Sequence, residues 1–452
     1  MPSKPRPATL TNSSVDILNA IRNSATTNYQ DYVPIATANA DSIRQIGAVI
    51  MDNPNLQNEF VNALVNRIGR VLITSKLYEN PWKMFKKGLM EFGETVEEIF
   101  VDLARPFEYD PEVAETEVFK REIPSIHSAF HVLNYRKFYK DTIQRQSLKQ
   151  AFLSWDGVTD LIARIVDSMY SGANYDEFLT MKYMIGRAIL NGQVYPTQIP
   201  TVETDNLKGI VSTVKGFSNN LSFMSNKYNI AGVRNYADKQ DQFIIVNANF
   251  QAQMDVEVLA AAFNMDKAEF FGHVVMIDSF GAVDTERLNE LFRDDPGYTA
   301  FTTAEAQALD QIPAVLVSRD WFMIFDNLFQ FGEIYNNQGL YWNWTYHRWS
   351  TFSISPFAPA TVFVPGVPAV NTITVNPGTA TVSAGSTIQL TAVVDTVNFA
   401  PKSVNWTSSN ENVTVSASGL VTVGEGATGE VTITATSTYD DTKTGTATLT
   451  ID

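Results

Sequence analysis

The stretch NNQGLYWNWTYHRWSTFSIS, residues 336–355, decides how the chain is read. Within it, YWNWTYHRW (341–349) alternates apolar and polar side chains. Successive side chains point to opposite sides of a strand, so Trp342, Trp344 and Tyr346 share one face. Exposed, such a face could stack on sugars or bases. Burial in a core or a subunit interface is the commoner use, so Trp342 and Trp344 are expected in a core. Trp155 and Trp321 are assigned to the core with them.

Working towards the N-terminus, strands and helices mix. QFIIVNA (242–248) and HVVMID (273–278) read as strands, with VEVLAAAFNM (256–265) between them as a helix capped by Asp255. A helix is expected from Tyr175 to about Leu190. Before it, SLKQAFLSW (147–155) and VTDLIARIVDSMY (158–170) place Leu148, Phe152, Trp155, Ile162, Ile165 and Met169 at helical spacing, with Gly157 between the halves. Residues 82–123 differ in texture. A basic knot of Lys83, Lys86 and Lys87 precedes Glu91, Glu94, Glu97, Glu98, Asp102, Asp110, Glu112, Glu115 and Glu117. Ile99, Val101 and Leu103 alternate with Phe100 and Asp102, the period of a strand. This is an extended hairpin with too few apolar residues for a core of its own, an arm that has to lie on something. The knot could touch DNA, but it and the acids, Glu97 and Glu98 among them, are rather expected to meet across neighbouring copies, because charge complementarity sets partner and alignment.

Towards the C-terminus the composition shifts near residue 369. Residues 371–452 hold 20 threonines, one tryptophan and no methionine or histidine, with two basic and seven acidic residues. ITV (373–375), TIQLTAVV (387–394), SVNWTS (403–408), LVTV (420–423), EVTITAT (430–436) and TATLTI (446–451) are short strands at near-regular spacing, which implies a sandwich with Trp406 as its buried aromatic. Pro356, Pro359, Pro365 and Pro368 mark the boundary as a semi-rigid spacer.

Composition narrows the function. The net charge is −16, a poor balance for wrapping nucleic acid, which depends on Lys and Arg displacing counterions. There is no cysteine, so disulfides and thiolate metal sites are excluded. No signal peptide or membrane span is expected, and the protein is read as made in the cytoplasm. GEGATG (424–429) fits a dinucleotide fingerprint, but a Thr-rich strand follows it where a helix is required, so it reads as a turn. The first turn after the 242–248 strand, NANFQAQMD, has no glycine where a backbone would approach phosphate. His127 and His131, four apart, could share a helix face, but with only His273 and His347 besides them a metal site lacks further ligands. No G-x-S-x-G or P-loop is present. Neither a catalytic residue nor a cofactor or metal is expected.

The chain also resembles the major capsid proteins of phi-twenty-nine-like podoviruses. The matching segments run in order: NAIRNS (19–24), YVPIATAN (32–39), NRIGRV (66–71), FKKG (85–88), TVEEIFVDL (95–103), FKREIPS (119–125), FYKDTIQRQSLKQAFLSW (138–155) and DVEVLAAAFNM (255–265). AVLVSRDWFMIFDNL (314–328) and the opening stretch are the strongest. The resemblance implies an α+β, Hong Kong-type (HK) tailed-phage capsid fold followed by an all-β, group II bacterial immunoglobulin-like (BIG2) sandwich. The implied blocks are an N-terminal arm and the start of the P-domain (1–60) and an E-loop hairpin with flanking P-domain (61–143), the E-loop itself at 82–123. A spine helix and second helix (144–199), an A-domain (200–335), return strands of the P-domain (336–362), a Pro-rich linker (363–370) and the immunoglobulin-like domain (371–452) follow. Residues 281–311 are longer than the resemblance leads one to expect, and the first 15 residues do not match.

The implied function is structural: copies associate as hexamers and pentamers into an icosahedral or prolate shell around double-stranded phage DNA, inside the host bacterium. The implied partners are a scaffolding protein and a portal during assembly, the packaged DNA on the inner face without sequence specificity, and host cell-wall carbohydrate at the immunoglobulin-like domain, with no membrane. No proteolytic maturation is implied. A surface adhesin should carry an export signal, and an encapsulin-like compartment shell would share the fold class but lack the appended domain.

Overall fold

The computed structural model describes residues 14–63, 79–90, 95–110, 120–144, 165, 167–203, 206–253 and 273–452. Trp155 with the 147–155 segment, nearly all of 158–170, the 256–265 helix with Asp255, and Glu91, Glu94, Glu112, Glu115 and Glu117 lie outside the described residues.

Helices α1 (Ser14–Ser24), α2 (Thr27–Tyr32) and α3 (Ala40–Asp52) come first. Strand β1 (Lys86–Leu89), the hairpin β2 (Val96–Val101) and β3 (Ile126–His131), and β4 (Tyr135–Gln144) follow. Then come α4 (Gly172–Leu190), β5 (Tyr195–Ile199), α5 (Leu207–Leu221), β6 (Gln242–Asn247), α6 (Ala248–Gln253) and β7 (Val274–Ile277). Helices α7 (Thr285–Leu291) and α8 (Thr303–Asp310) precede β8 (Ala314–Ser318), β9 (Phe322–Asn336), β10 (Tyr341–Ile354) and β11 (Ala360–Pro365). Among the described residues, no helix is long and apolar enough to cross a membrane.

The chain divides into two compact units. One comprises Met1–Thr95, Val132–Leu179 and Ile324–Phe352; the other comprises Val96–His131, Thr180–Met323 and Ser353–Asp452. The first is built on a four-stranded sheet in the order β1-β9-β10-β4. β10 pairs with β4 antiparallel from Tyr341↔Gln144 to Ser350↔Tyr135 without a break. Alternation along β10 buries Trp342, Trp344 and Tyr346, as the sequence implied, against Ile17, Ile21, Ile43, Ile50 and Phe60 of the N-terminal helices. Each such side chain stabilises the fold by roughly 1.5–3 kcal/mol on burial. Arg22 of α1 fastens the second helix by donating from Nε to the Val33 carbonyl (2.7 Å) and from Nη2 to that of Gln30 (2.7 Å). On the opposite face of this sheet, Arg136, Phe138, Lys140 and Thr142 of β4 are exposed beside half-buried Asn343, Thr345, His347 and Trp349.

The second unit contains a five-stranded sheet, β5-β11-β8-β6-β7. Every residue of β6 and β8 is buried, which explains their unbroken apolar runs. Helix α5 covers one face with Ile210, Val214, Phe217 and Leu221. Residues 281–311 hold the two short helices α7 and α8. Thr302 and Glu305 cap α8 reciprocally, and Phe292, Tyr298 and Phe301 gather round Tyr183 of α4.

Two expected boundaries move. β9 pairs into the four-stranded sheet, so the block expected to end at 335 ends at Met323. β11 and β5 join the five-stranded sheet, so residues 336–362 do not all return to the first unit, and 195–199 are not part of a helical block. The 363–370 linker also contracts. Phe363 to Pro365 complete β11, and a strand resumes at Ala369, leaving Gly366–Pro368. Pro356 and Pro359 are not spacers either. Their carbonyls accept hydrogen bonds from Ala231 and Ser318 (2.9 and 3.0 Å), with Phe357 and Ala358 buried between them.

The C-terminal part is a sandwich of short strands around Leu390, Val421, Val431, Ile433, Ala435 and Leu449. The six expected strands are present, although Leu390 is fully buried between Thr387–Gln389 and Thr391–Val397 and splits one of them. Thr379–Val382 and Val413–Val415 are strands that sequence alternation was too short to show. Trp406 is half-buried at the edge of the core and does not form its centre. GEGATG is a turn, with the Ala427 amide bonded to the Gly424 carbonyl.

Candidate functional site

Two constellations concentrate the polar chemistry, and the hairpin is the first. β2 and β3 pair from Val96↔His131 to Val101↔Ile126. One face turns towards Ser353–Phe357. There the Glu98 carboxylate accepts from the Ser355 hydroxyl (2.7 Å) and sits 3.1 Å from Nε2 of buried His131, whose Nδ1 is 2.8 Å from Ser353 Oγ. Phe100 stacks on Phe357 with ring centroids 5.6 Å apart. Further out, hydrogen bonds from Ser125 and His127 hold the exposed Asp102 carboxyl below the usual carboxylate range. His127 and His131 thus lie on a strand, not on the helix considered for them, and each faces a carboxylate.

On the other face of the hairpin, Glu97, Ile99, Val101, Ile126 and Phe130 are exposed, Phe130 by 64 %. The apolar surface continues along the arm through Leu103, Phe107, Tyr109 (90 % exposed) and Ile123. Contiguous apolar exposure on this scale marks a contact surface.

The second constellation is a buried ion cluster in the first unit. Glu177, on α4, and Arg348, on β10, form an ion pair with side chains 2 % and 4 % exposed. Lys86 Nζ reaches Glu177 (3.0 Å) and Asp326 (2.5 Å), Asn80 donates to Glu177 (2.6 Å), and Arg348 Nη1 donates to Asn174 (2.8 Å). Burial alone would raise the Glu177 pKa, but the Arg348 guanidinium and the Lys86 ammonium outweigh it and hold the carboxyl below its ordinary range. Burial likewise opposes the charge on Arg348, and Glu177 overrules it. Each charge of the cluster faces an opposite charge, although Arg348 Nε has no hydrogen-bond partner, and the group reads as a structural clamp.

Of the five residues expected at subunit contacts, three are on the surface: Lys83, Lys87 and Glu97. Lys83 pairs with Glu79 four residues earlier. Lys86 and Glu98 are engaged within the chain, the first in the ion cluster and the second at the hairpin base. Trp321, Trp342 and Trp344 are buried. Trp82 was missed. It is fully buried, edge-on to Phe85 and Phe178, as the N-cap of a single 3-10 turn that carries no periodic signal.

A surface with an exposed apolar arm suits a building block. The model of the Phi29-like phage major capsid protein family matches residues 18–364. This chain belongs to that family. A group 2 bacterial Ig-like domain matches residues 369–447, on the far side of the three-residue connector. The capsid chain is 37 % identical to the major capsid protein of Bacillus phage B103 over 94 % of its own length and 90 % of the relative's. It is 36 % identical to that of Bacillus phage PZA over the same shares. It is 28 % identical to that of Streptococcus phage Cp-1, covering 76 % of this chain and 92 % of the relative. Among solved structures, the capsid of Staphylococcus phage Andhra aligns with a TM-score of 0.49 at 16 % identity, covering 65 % of this chain and 87 % of that one. The chain is a structural major capsid protein of the virion shell, and such proteins self-assemble.

Proposed function

We propose that one copy grips the next through the exposed face of its β2–β3 hairpin, and that the receiving surface is the exposed face of the four-stranded sheet on the neighbour. The carrying observation is the exposed apolar run of Ile99, Val101, Leu103, Phe107, Tyr109, Ile126 and Phe130 on an arm that buries only its other face. Acids accompany it: Glu97 and Glu108. The sheet face offers the complement. Phe138 (59 % exposed) and Trp349 lie beside Arg136 and Lys140, the Arg136 guanidinium sits 5.4 Å from the Trp349 ring centre, and Phe138 packs on His347 at 5.5 Å. None of the outward residues Arg136, Phe138, Lys140, Thr142, Asn343, Thr345, His347 and Trp349 is a carboxylate, in a chain with 49 acidic residues. An arm-on-face contact is heterologous, and heterologous contacts close into rings, which is how pentamers and hexamers would arise from one chain. Lys83, Lys87 and Glu97 are the charged contacts retained from the sequence.

Assembly with a scaffolding protein and a portal, DNA against the inner face without sequence specificity, and carbohydrate binding by the immunoglobulin-like domain complete the reading and rest on family likeness alone. The test of the arm is a double variant, Ile99→Asp with Phe130→Asp, co-expressed with its cognate scaffold. Electron microscopy should show no shells while circular dichroism shows wild-type folding. Shells at wild-type yield would overturn the proposal.

A further inference from the structure

We infer that the immunoglobulin-like domain is a fixed brace seated on the C-terminal turn of α4, held there by its own Phe399–Ser403 loop, and is not a pendant module. Helix α4 ends at Gly192, in the left-handed region (φ +68°), with the Gly192 and Gln193 amides bonded back to Ile189 (2.9 Å) and Ala188 (2.8 Å). The glycine does more than end the helix. A Cβ there would lie 2.9 Å from the Ala400 carbonyl oxygen, 2.9 Å from Pro401 Cα and 3.0 Å from the Lys402 nitrogen. All three are backbone atoms, which cannot swing aside as a flexible side chain does. Ala400 is fully buried.

Two further contacts secure the same end of the sandwich. Lys402 Nζ donates to the Leu190 carbonyl (3.0 Å), one of the carbonyls a helix end leaves unpaired, where a cation is favoured by the helix dipole. Tyr439 meets Tyr195 of β5 with ring centres 5.9 Å apart. The connector is tied to the same loop, because the Asn398 amide donates to the Val367 carbonyl (2.8 Å). A tethered module would have no use for backbone-to-backbone contact at a left-handed glycine. The opposite end, with the turns at Ser383–Ser386, Asn410–Asn412 and Gly424–Ala427, is thereby presented in one orientation.

The chain has no cysteine, so two can be placed cleanly for spin labels. Ser212→Cys on α5 and Ser418→Cys on the immunoglobulin-like domain are both exposed sites. The distance distribution is measured by pulsed electron spin resonance in the full chain, diluted with unlabelled chain. The background should give one narrow distance, and Gly192→Ala should broaden it at least twofold. Gly232→Ala is the control: Gly232 has φ +65° and nothing within 4 Å of an added Cβ, so it carries the same backbone strain without the collision. It should leave the distribution narrow. Should Gly192→Ala not fold, Lys402→Ala combined with Tyr439→Ala should broaden the distribution in its place. A broad distribution in the background, or the same width for the 192 and 232 variants, would overturn the inference.

Discussion

Arg348 shows what a single charged residue costs and contributes. It lies among tryptophans on a core strand, and its guanidinium is acceptable there only because Glu177, Asp326 and Asn174 surround it. Arg348→Ala would leave Glu177 buried with Lys86 as its remaining cation, a loss of about 3–5 kcal/mol, measurable by denaturant unfolding. The pH dependence has a definite sign. The folded Glu177 pKa is below its unfolded value, so its contribution is present above about pH 4.3 and is lost as pH falls through the folded value. Glu177→Gln should therefore flatten the acid limb of the stability profile; an unchanged slope would remove Glu177 from the account. The cluster could not be read from the sequence, because Lys86, Glu177, Asp326 and Arg348 come from four distant segments. Lys86 looked like one of three equivalent lysines until β1 placed it beside β9. Local alternation, by contrast, was sufficient to assign Trp342 and Trp344.

Elements were legible where periodicity is long. β10 and β2 carry alternation and β6 is a bounded apolar run; β8, β3, the strands Thr379–Val382 and Val413–Val415 and the 3-10 turn after Trp82 were not assigned. The hairpin illustrates both outcomes. The alternation of Ile99 and Val101 with Phe100 fixed two faces, yet which face the body would claim depended on Ser353, Ser355 and Phe357, more than 220 residues away. The 281–311 insertion has a local logic that the capping box reveals. Thr302→Ala should lower stability by about 1 kcal/mol, seen as a lower melting temperature, and leave shell formation intact. Loss of shells from that substitution would move the insertion from fold support to assembly.

At the scale of the whole molecule, the charge imbalance acquires a location. A chain of −16 that reserves Arg136 and Lys140 for one exposed sheet face should associate by steering that salt weakens. Raising ionic strength from about 0.05 to about 0.5 M, which shortens the Debye length, should slow shell formation, followed by light scattering. Arg136→Glu with Lys140→Glu should slow it at low salt and abolish most of the salt dependence. A salt response unchanged by those substitutions would place the steering charges elsewhere. The Arg348 clamp bears on how the whole chain avoids misfolding. A slip of β10 by one position would turn Trp342 and Trp344 to solvent and carry Arg348 onto the wrong side, away from Glu177. One buried ion pair therefore acts as a proofreading device: a mis-threaded subunit retains an unneutralised acid and a greasy surface, and is unstable before it can enter a shell.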